Sequence, residues 1–119
     1  MSKAFLFVMQ ASAYDGNKIQ EALDIVLITA AFDQKVSILL LDDAVFHLKN
    51  NQQSEQVSSK DIGALYRSLE LYDIENVFVE NDSIITSGLS EDDLLVPIKV
   101  IRRQEVGILF SQFDYVLNG

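Results

Sequence analysis

The chain has 119 residues, 49% of them hydrophobic, with one proline and no cysteine. That composition argues against disorder and excludes disulfides, thiolate metal sites and any sulfur or acyl carriage on a cysteine of this chain. Eighteen acidic residues against nine basic leave a net charge of −9, and the basic residues are scattered from Lys3 to Arg103. Phosphate neutralisation dominates nucleic-acid affinity, so direct RNA or DNA binding is not expected.

The first segment, AFLFVM (4–9), reads as a strand. It is too short, and too poorly flanked, for the apolar region of a signal peptide. Nowhere does an apolar run approach the roughly 20 residues that cross a bilayer. A single cytoplasmic domain is therefore expected over 1–119. The following loop, QASAYDGNK (10–18), holds Ser12 and Gly16 before a helix. A flavin or nucleotide phosphate can sit at such a helix start. Neither G-x-G-x-x-G nor G-x-x-x-x-G-K-[ST] occurs there; no cofactor is assigned, and an ordinary connecting loop suffices.

NKIQEALDIVLITAAF (17–32) has the pattern of a helix. A polar stripe of Gln20, Glu21 and Asp24 continues one turn later as Leu27, Ile28 and Ala31. Apolar residues then lie where a solvated helix is polar, which predicts cover on more than the sheet-facing side. Another subunit is the simplest cover in so small a domain, the alternative being neighbouring helices of the same chain.

VSILLL (36–41) is almost continuously apolar, the pattern of a strand buried on both faces of a parallel sheet. Asp42, Asp43 and the chain's one histidine, His47, follow it. Acids at the carboxyl edge of a sheet can be catalytic, as in a phosphoacceptor receiver domain. A receiver's adjacent pair follows its first strand, whereas here the first strand ends in MQAS. One histidine and two carboxylates give no recognised metal spacing. A carboxylate ahead of the short apolar stretch Val45, Phe46, Leu48 reads more simply as a helix cap. No motif fixes a nucleophile or acid beside His47.

Beyond a polar loop at 49–58, SSKDIGALYRSLELYD (58–73) predicts a helix with a capping-type start at Ser58 and Asp61. NVFVE (76–80) is a third strand, NDSIITSG (81–88) a short helix, and VPIKVI (96–101) a fourth strand. RQEVGILFSQF (103–113) spaces Val106, Leu109, Phe110 and Phe113 as a helix, and DYVLN (114–118) is a last strand. Strands alternating with helices imply βαβ crossovers. The fold class is α/β: a three-layer α/β/α arrangement around a five-stranded, mainly parallel sheet of flavodoxin-like architecture.

EALDIVLITAAF (21–32), LLLDDAVFHL (39–48) and LELYDIENVFVE (69–80) occur in that order. Together they resemble the DsrE/DsrF/DsrH-like superfamily, most closely its TusC/DsrF branch. The resemblance runs from KAFLFVM to FDYVLN, with a D-x-V-F element at Asp43 to Phe46 and an L-Y-D-I-E element containing Tyr72 and Asp73. It departs in the first loop, where SAYDG lacks the family's frequent proline.

The resemblance implies a subunit of a TusBCD-type sulfur relay, a dimer of heterotrimers with TusB-like and TusD-like partners. That complex passes persulfide sulfur from TusA-like to TusE-like carriers, toward 2-thiolation of the tRNA wobble uridine. A DsrEFH-type complex of sulfur oxidation is the alternative within the superfamily; a small flavin or nucleotide binder is the alternative outside it. In both complexes the chief sulfur-carrying cysteine lies on the TusD/DsrE subunit, which fits a cysteine-free, non-catalytic chain. Leu27, Ile28, Ala31, Asp43, Val45, Phe46, Leu48, Tyr72 and Asp73 are then candidates for structural or interface roles, with no catalytic, cofactor or metal ligand among them.

Overall fold

The structure is a computed structural model that describes residues 3–10, 16–42, 44, 66–74, 76–88 and 98–118. Five strands form one sheet: β1 (Ala4–Met9), β2 (Lys35–Leu40), β3 (Asn76–Glu80), β4 (Lys99–Ile101) and β5 (Tyr115–Asn118). Their order is β4-β3-β2-β1-β5, and every neighbouring pair is parallel. Between them lie α1 (Gly16–Ala31), a 3-10 helix (Ser68–Tyr72), α2 (Asn81–Ser87) and α3 (Val106–Ser111), the last preceded by a 3-10 turn (Arg103–Glu105). The five strands stand where the periodicity places them, within three residues at either end.

The order of the strands decides which face each helix covers. From β1 to β4 the chain steps one strand at a time in one direction, and it then returns across the sheet to place β5 beside β1. Crossovers of a single hand therefore put the first three connections on one face and the fourth on the other. The packing agrees. Leu23 and Val26 of α1, Leu69 of the 3-10 helix and Ile84 of α2 share a core with Phe7, Met9, Ile38, Leu40, Val77 and Val79. Leu109 of α3 packs on Leu6, Val8 and Leu39, with Phe78, Ile101, Phe110 and Phe113 at the margin. Strand side chains alternate between the two cores, the period of two that a sheet imposes.

Only β2 is buried at five consecutive positions, because helices cover both of its faces and strands flank both of its edges. The edge strands differ. β4 is three residues long and presents Lys99, whose ammonium bonds the Asn76 side chain and lies 6.0 Å from the Phe78 ring centroid. A short, charged edge resists pairing with other chains. β5 is exposed at every position, and Tyr115 stacks on Phe5 at 4.9 Å. Its start is clamped to β1: Ala4 N–H donates to the Asp114 carboxylate at 2.7 Å, and Asp114 N–H donates to Ala4 C=O at 2.9 Å.

Aspartates end several elements. Asp33, Asp42 and Asp73 all have positive φ, at 62°, 53° and 61°. Aspartate tolerates the left-handed region better than most residues. At Asp73 this geometry lets Ile74 N–H reach back to Leu69 C=O at 3.1 Å, closing the 3-10 helix and turning buried Ile74 into the core. The L-Y-D-I-E element is accordingly a chain-reversal device in which Leu71 and Tyr72 stay exposed. Asp73→Gly should be close to neutral in urea denaturation, whereas Asp73→Val should cost about 1–2 kcal/mol, because a β-branched residue resists this conformation.

Candidate functional site

Adjacent strands whose following segments leave toward opposite faces open a crevice at their carboxyl ends. Here those strands are β3, which continues into α2 on the α1 face, and β4, which continues into α3 on the opposite face. A cleft of about 460 Å³ lies at this point, lined by Leu41, Asp42, Glu80, Arg103, Val106 and Gly107.

A hydrogen-bonded chain builds its polar wall. Asp42 N–H donates to Ser83 Oγ at 2.8 Å, and the Ser83 hydroxyl donates to Glu80 Oε1 at 3.1 Å. The Arg103 guanidinium donates to the same Glu80 oxygen at 3.0 Å and has its Nε 3.7 Å from Asp82 Oδ2. Glu80 and Ser83 are buried, while Arg103 reaches in from solvent. The hydrogen bond from Arg103 to Glu80, and then the charge of Glu80, raise the guanidinium pKa above its ordinary value, so it remains a cation. One cation thus faces the carboxylates of Glu80, Asp82 and Asp42 and ties the end of β3 to the start of α3.

The chemistry available to this wall is limited. Glu80 Oε1 already accepts from two donors, the Ser83 hydroxyl and the Arg103 guanidinium. Among the described residues, no group of three His, Asp or Glu side chains could hold a metal ion. The network works as a fastener across the crevice. Glu80→Ala removes both hydrogen bonds and leaves the buried Ser83 hydroxyl without its acceptor, which should cost about 1–3 kcal/mol by denaturant titration. Arg103→Met should lower stability less, since its guanidinium is solvated.

Of the acid pair and histidine singled out from sequence, Asp42 is the one that the described residues bring to this cleft. Asp42, the first of the acid pair, is exposed; its backbone turns the chain, and its carboxylate accepts a long 3.5 Å hydrogen bond from Gln10 Nε2. Asp43, Val45, Phe46, His47 and Leu48 lie outside the described residues, as do Ser12, Ser58 and Asp61. Tyr72 and Asp73 are exposed at the end of the 3-10 helix.

On α1, Leu27 is half-buried against the core, while Ile28 and Ala31 are exposed. The stripe chosen from sequence thus straddles the boundary between core and solvent. Two large exposed residues escaped that reading, Ile25 on α1 and Phe32 just beyond its end. They lie three before and four after Ile28, the helical spacing that could have found them. The Glu80–Arg103 pair was also missed. Its partners are 23 residues apart, and only the adjacency of β3 and β4 joins them.

Comparisons with known proteins agree with this architecture. The model of the DsrE/DsrF-like family matches residues 3–118. The chain is 38% identical over 93 residues to a protein named Intracellular sulfur oxidation protein DsrF from Allochromatium vinosum, covering 78% of this chain and 68% of that one. It is 32% identical over 118 residues to a protein named Protein TusC homolog from Pseudomonas aeruginosa, covering 99% of each. The crystal structure of the ychN protein from E. coli superposes with a TM-score of 0.84 over the full length of both chains at 16% identity, a likeness of fold.

Proposed function

The chain belongs to the DsrE/DsrF-like family, and from that premise we propose that it is a non-catalytic subunit of a cytoplasmic TusBCD-type sulfur relay serving 2-thiolation of the tRNA wobble uridine. Its relatives named TusC homolog and DsrF make it a sulfur-relay subunit. The finer reading assigns it TusB-like and TusD-like partners in a dimer of heterotrimers, with the TusD-like subunit carrying the sulfur.

The observation that carries this reading is the absence of cysteine. Persulfide transfer requires an acceptor thiolate to attack the outer sulfur of the donor persulfide. The donor's S–S bond breaks, a new S–S bond forms on the acceptor, and the donor leaves as a thiolate. No side chain of this chain can accept sulfur in that way. What it offers instead is a rigid sheet with large apolar side chains exposed on α1, the 3-10 helix, α2, α3 and β5, a surface suited to assembly. Leu27, Ile28, Ala31, Tyr72 and the Val45, Phe46 and Leu48 segment are the proposed places of contact, with Asp43 and Asp73 shaping the backbone beside them.

The match to the Allochromatium vinosum DsrF favours a second reading, a subunit of a DsrEFH-type complex in sulfur oxidation. The end-to-end match to the TusC homolog supports the first. Deleting the gene in its host separates them. The expected result is loss of wobble 2-thiouridine from tRNA, restored by a plasmid copy. Unchanged thiolation with impaired oxidation of stored sulfur would overturn the first reading in favour of the second. A tagged copy should co-purify with TusB-like and TusD-like subunits, identified by mass.

A further inference from the structure

The outer side of α1 carries its apolar residues at helical spacing: Ile25, Ile28 and Phe32 are 54%, 58% and 73% exposed. Thr29 belongs to the same strip, and its hydroxyl is already bonded to Ile25 C=O at 2.7 Å, which leaves its methyl as the group it can offer a neighbour. The strip is bounded by acids. Exposed Glu21 and Asp24 stand one turn before Ile25 and Ile28, and exposed Asp33 follows Phe32. No lysine or arginine occurs between Lys18 and Lys35, and Lys35 begins β2.

This charge arrangement selects the occupant. A contact between two copies across a two-fold axis presents the same patch from both sides. With the helices antiparallel, Asp33 of one copy approaches Glu21 and Asp24 of the other; with them parallel, each acid meets its own counterpart. Either way carboxylates meet carboxylates around an apolar centre, on chains that each carry −9. Like charges juxtaposed at an interface oppose association, whereas an opposite rim favours it and speeds encounter. We infer that the Ile25–Ile28–Phe32 face of α1 is covered by a different chain, one that presents an apolar groove with a lysine- or arginine-bearing rim, and not by a second copy of this chain. This inference rests on the proposed membership of a hetero-oligomeric relay and names the surface and the partner chemistry it uses.

The test uses the purified chain with the purified TusB-like and TusD-like subunits of its host. At low salt the chain alone should show no dimer that Ile28→Glu dissolves, while the wild type binds its partners. Ile28→Glu and Phe32→Glu should each weaken that binding roughly tenfold or more. The double reversal Glu21→Lys with Asp24→Lys should slow association and flatten its salt dependence, because the attraction to a basic rim is lost. Both positions are exposed, so unchanged melting of the two apolar-face variants separates lost contact from lost folding. A low-salt dimer of the chain alone that Ile28→Glu abolishes would make a second copy the occupant and overturn the inference. Partner binding unaffected by both apolar-face variants would overturn it while the relay reading stands. A wild type that binds neither subunit would refute the relay reading first and the inference with it.

Discussion

Incubated with a cysteine desulfurase, sulfur-labelled cysteine and the upstream carriers, this chain should remain free of label while a cysteine-bearing partner acquires it. The expected contrast is all or none, because each transfer needs an acceptor thiolate and this chain has no cysteine. Non-reducing gels of the assembled complex should show label on a TusD-like band, and reductant should discharge it. The chain's contribution should appear in a different measurement. Omitting it should slow transfer through the partner, by removing a subunit that orders the partner's surface. Stable covalent label on this chain would end the non-carrier reading. Full-speed transfer in its absence would end the claim that it supports the relay.

The second large effect is a contrast between two aliphatic residues that look alike in the sequence. Leu39 lies at the centre of β2, is 0% exposed, and packs with Leu6, Val8 and Leu109. Leu39→Ala deletes methylene and methyl groups from a site enclosed by helix and sheet. It should cost about 2–5 kcal/mol, a large share of the roughly 5–15 kcal/mol that holds a small domain folded. Ile28 lies on an apolar run of comparable strength but is 58% exposed. Ile28→Ala should change the isolated chain by no more than about 0.5 kcal/mol, as is usual for surface positions. Urea denaturation of the purified variants reads both values. A severe loss at Ile28 would place that side chain in the chain's own core and remove it from any interface. A mild loss at Leu39 would mean that α3 does not close the second face.

The cores on the two faces differ in how firmly they are built. The face under α1, the 3-10 helix and α2 has the larger buried set, including fully enclosed Tyr66, whose phenol burial keeps protonated. The other face has α3, which is six residues long and buries one side chain, Leu109. The Arg103–Glu80 contact anchors the start of that helix to β3. Variants at Glu80 should therefore loosen α3 before they disturb α1, which amide exchange can follow element by element.

The sequence by itself determined the alternation of five strands with helices, because each pattern is local. The six consecutive apolar residues of AFLFVM and the almost continuous apolar run of VSILLL need only neighbours in the chain to be legible. It also determined that no cysteine thiolate is available to accept sulfur, since that depends on the count of one residue type. Its motifs carried the family, and LYDIE was legible as an element without revealing that Asp73 is there for its backbone angle. Tertiary structure alone decided three things. The order β4-β3-β2-β1-β5 sends α3 to the face opposite α1, a consequence of crossover handedness that no local pattern records. The same order places β3 beside β4 and so lets Arg103 reach Glu80, a contact between residues far apart in the chain. It also separated Leu27, half-buried on the core, from Ile25, Ile28 and Phe32, exposed beside it. Hydrophobicity states that a side chain prefers burial; only the packed sheet and its neighbouring helices determine which of those side chains are left for another chain to cover.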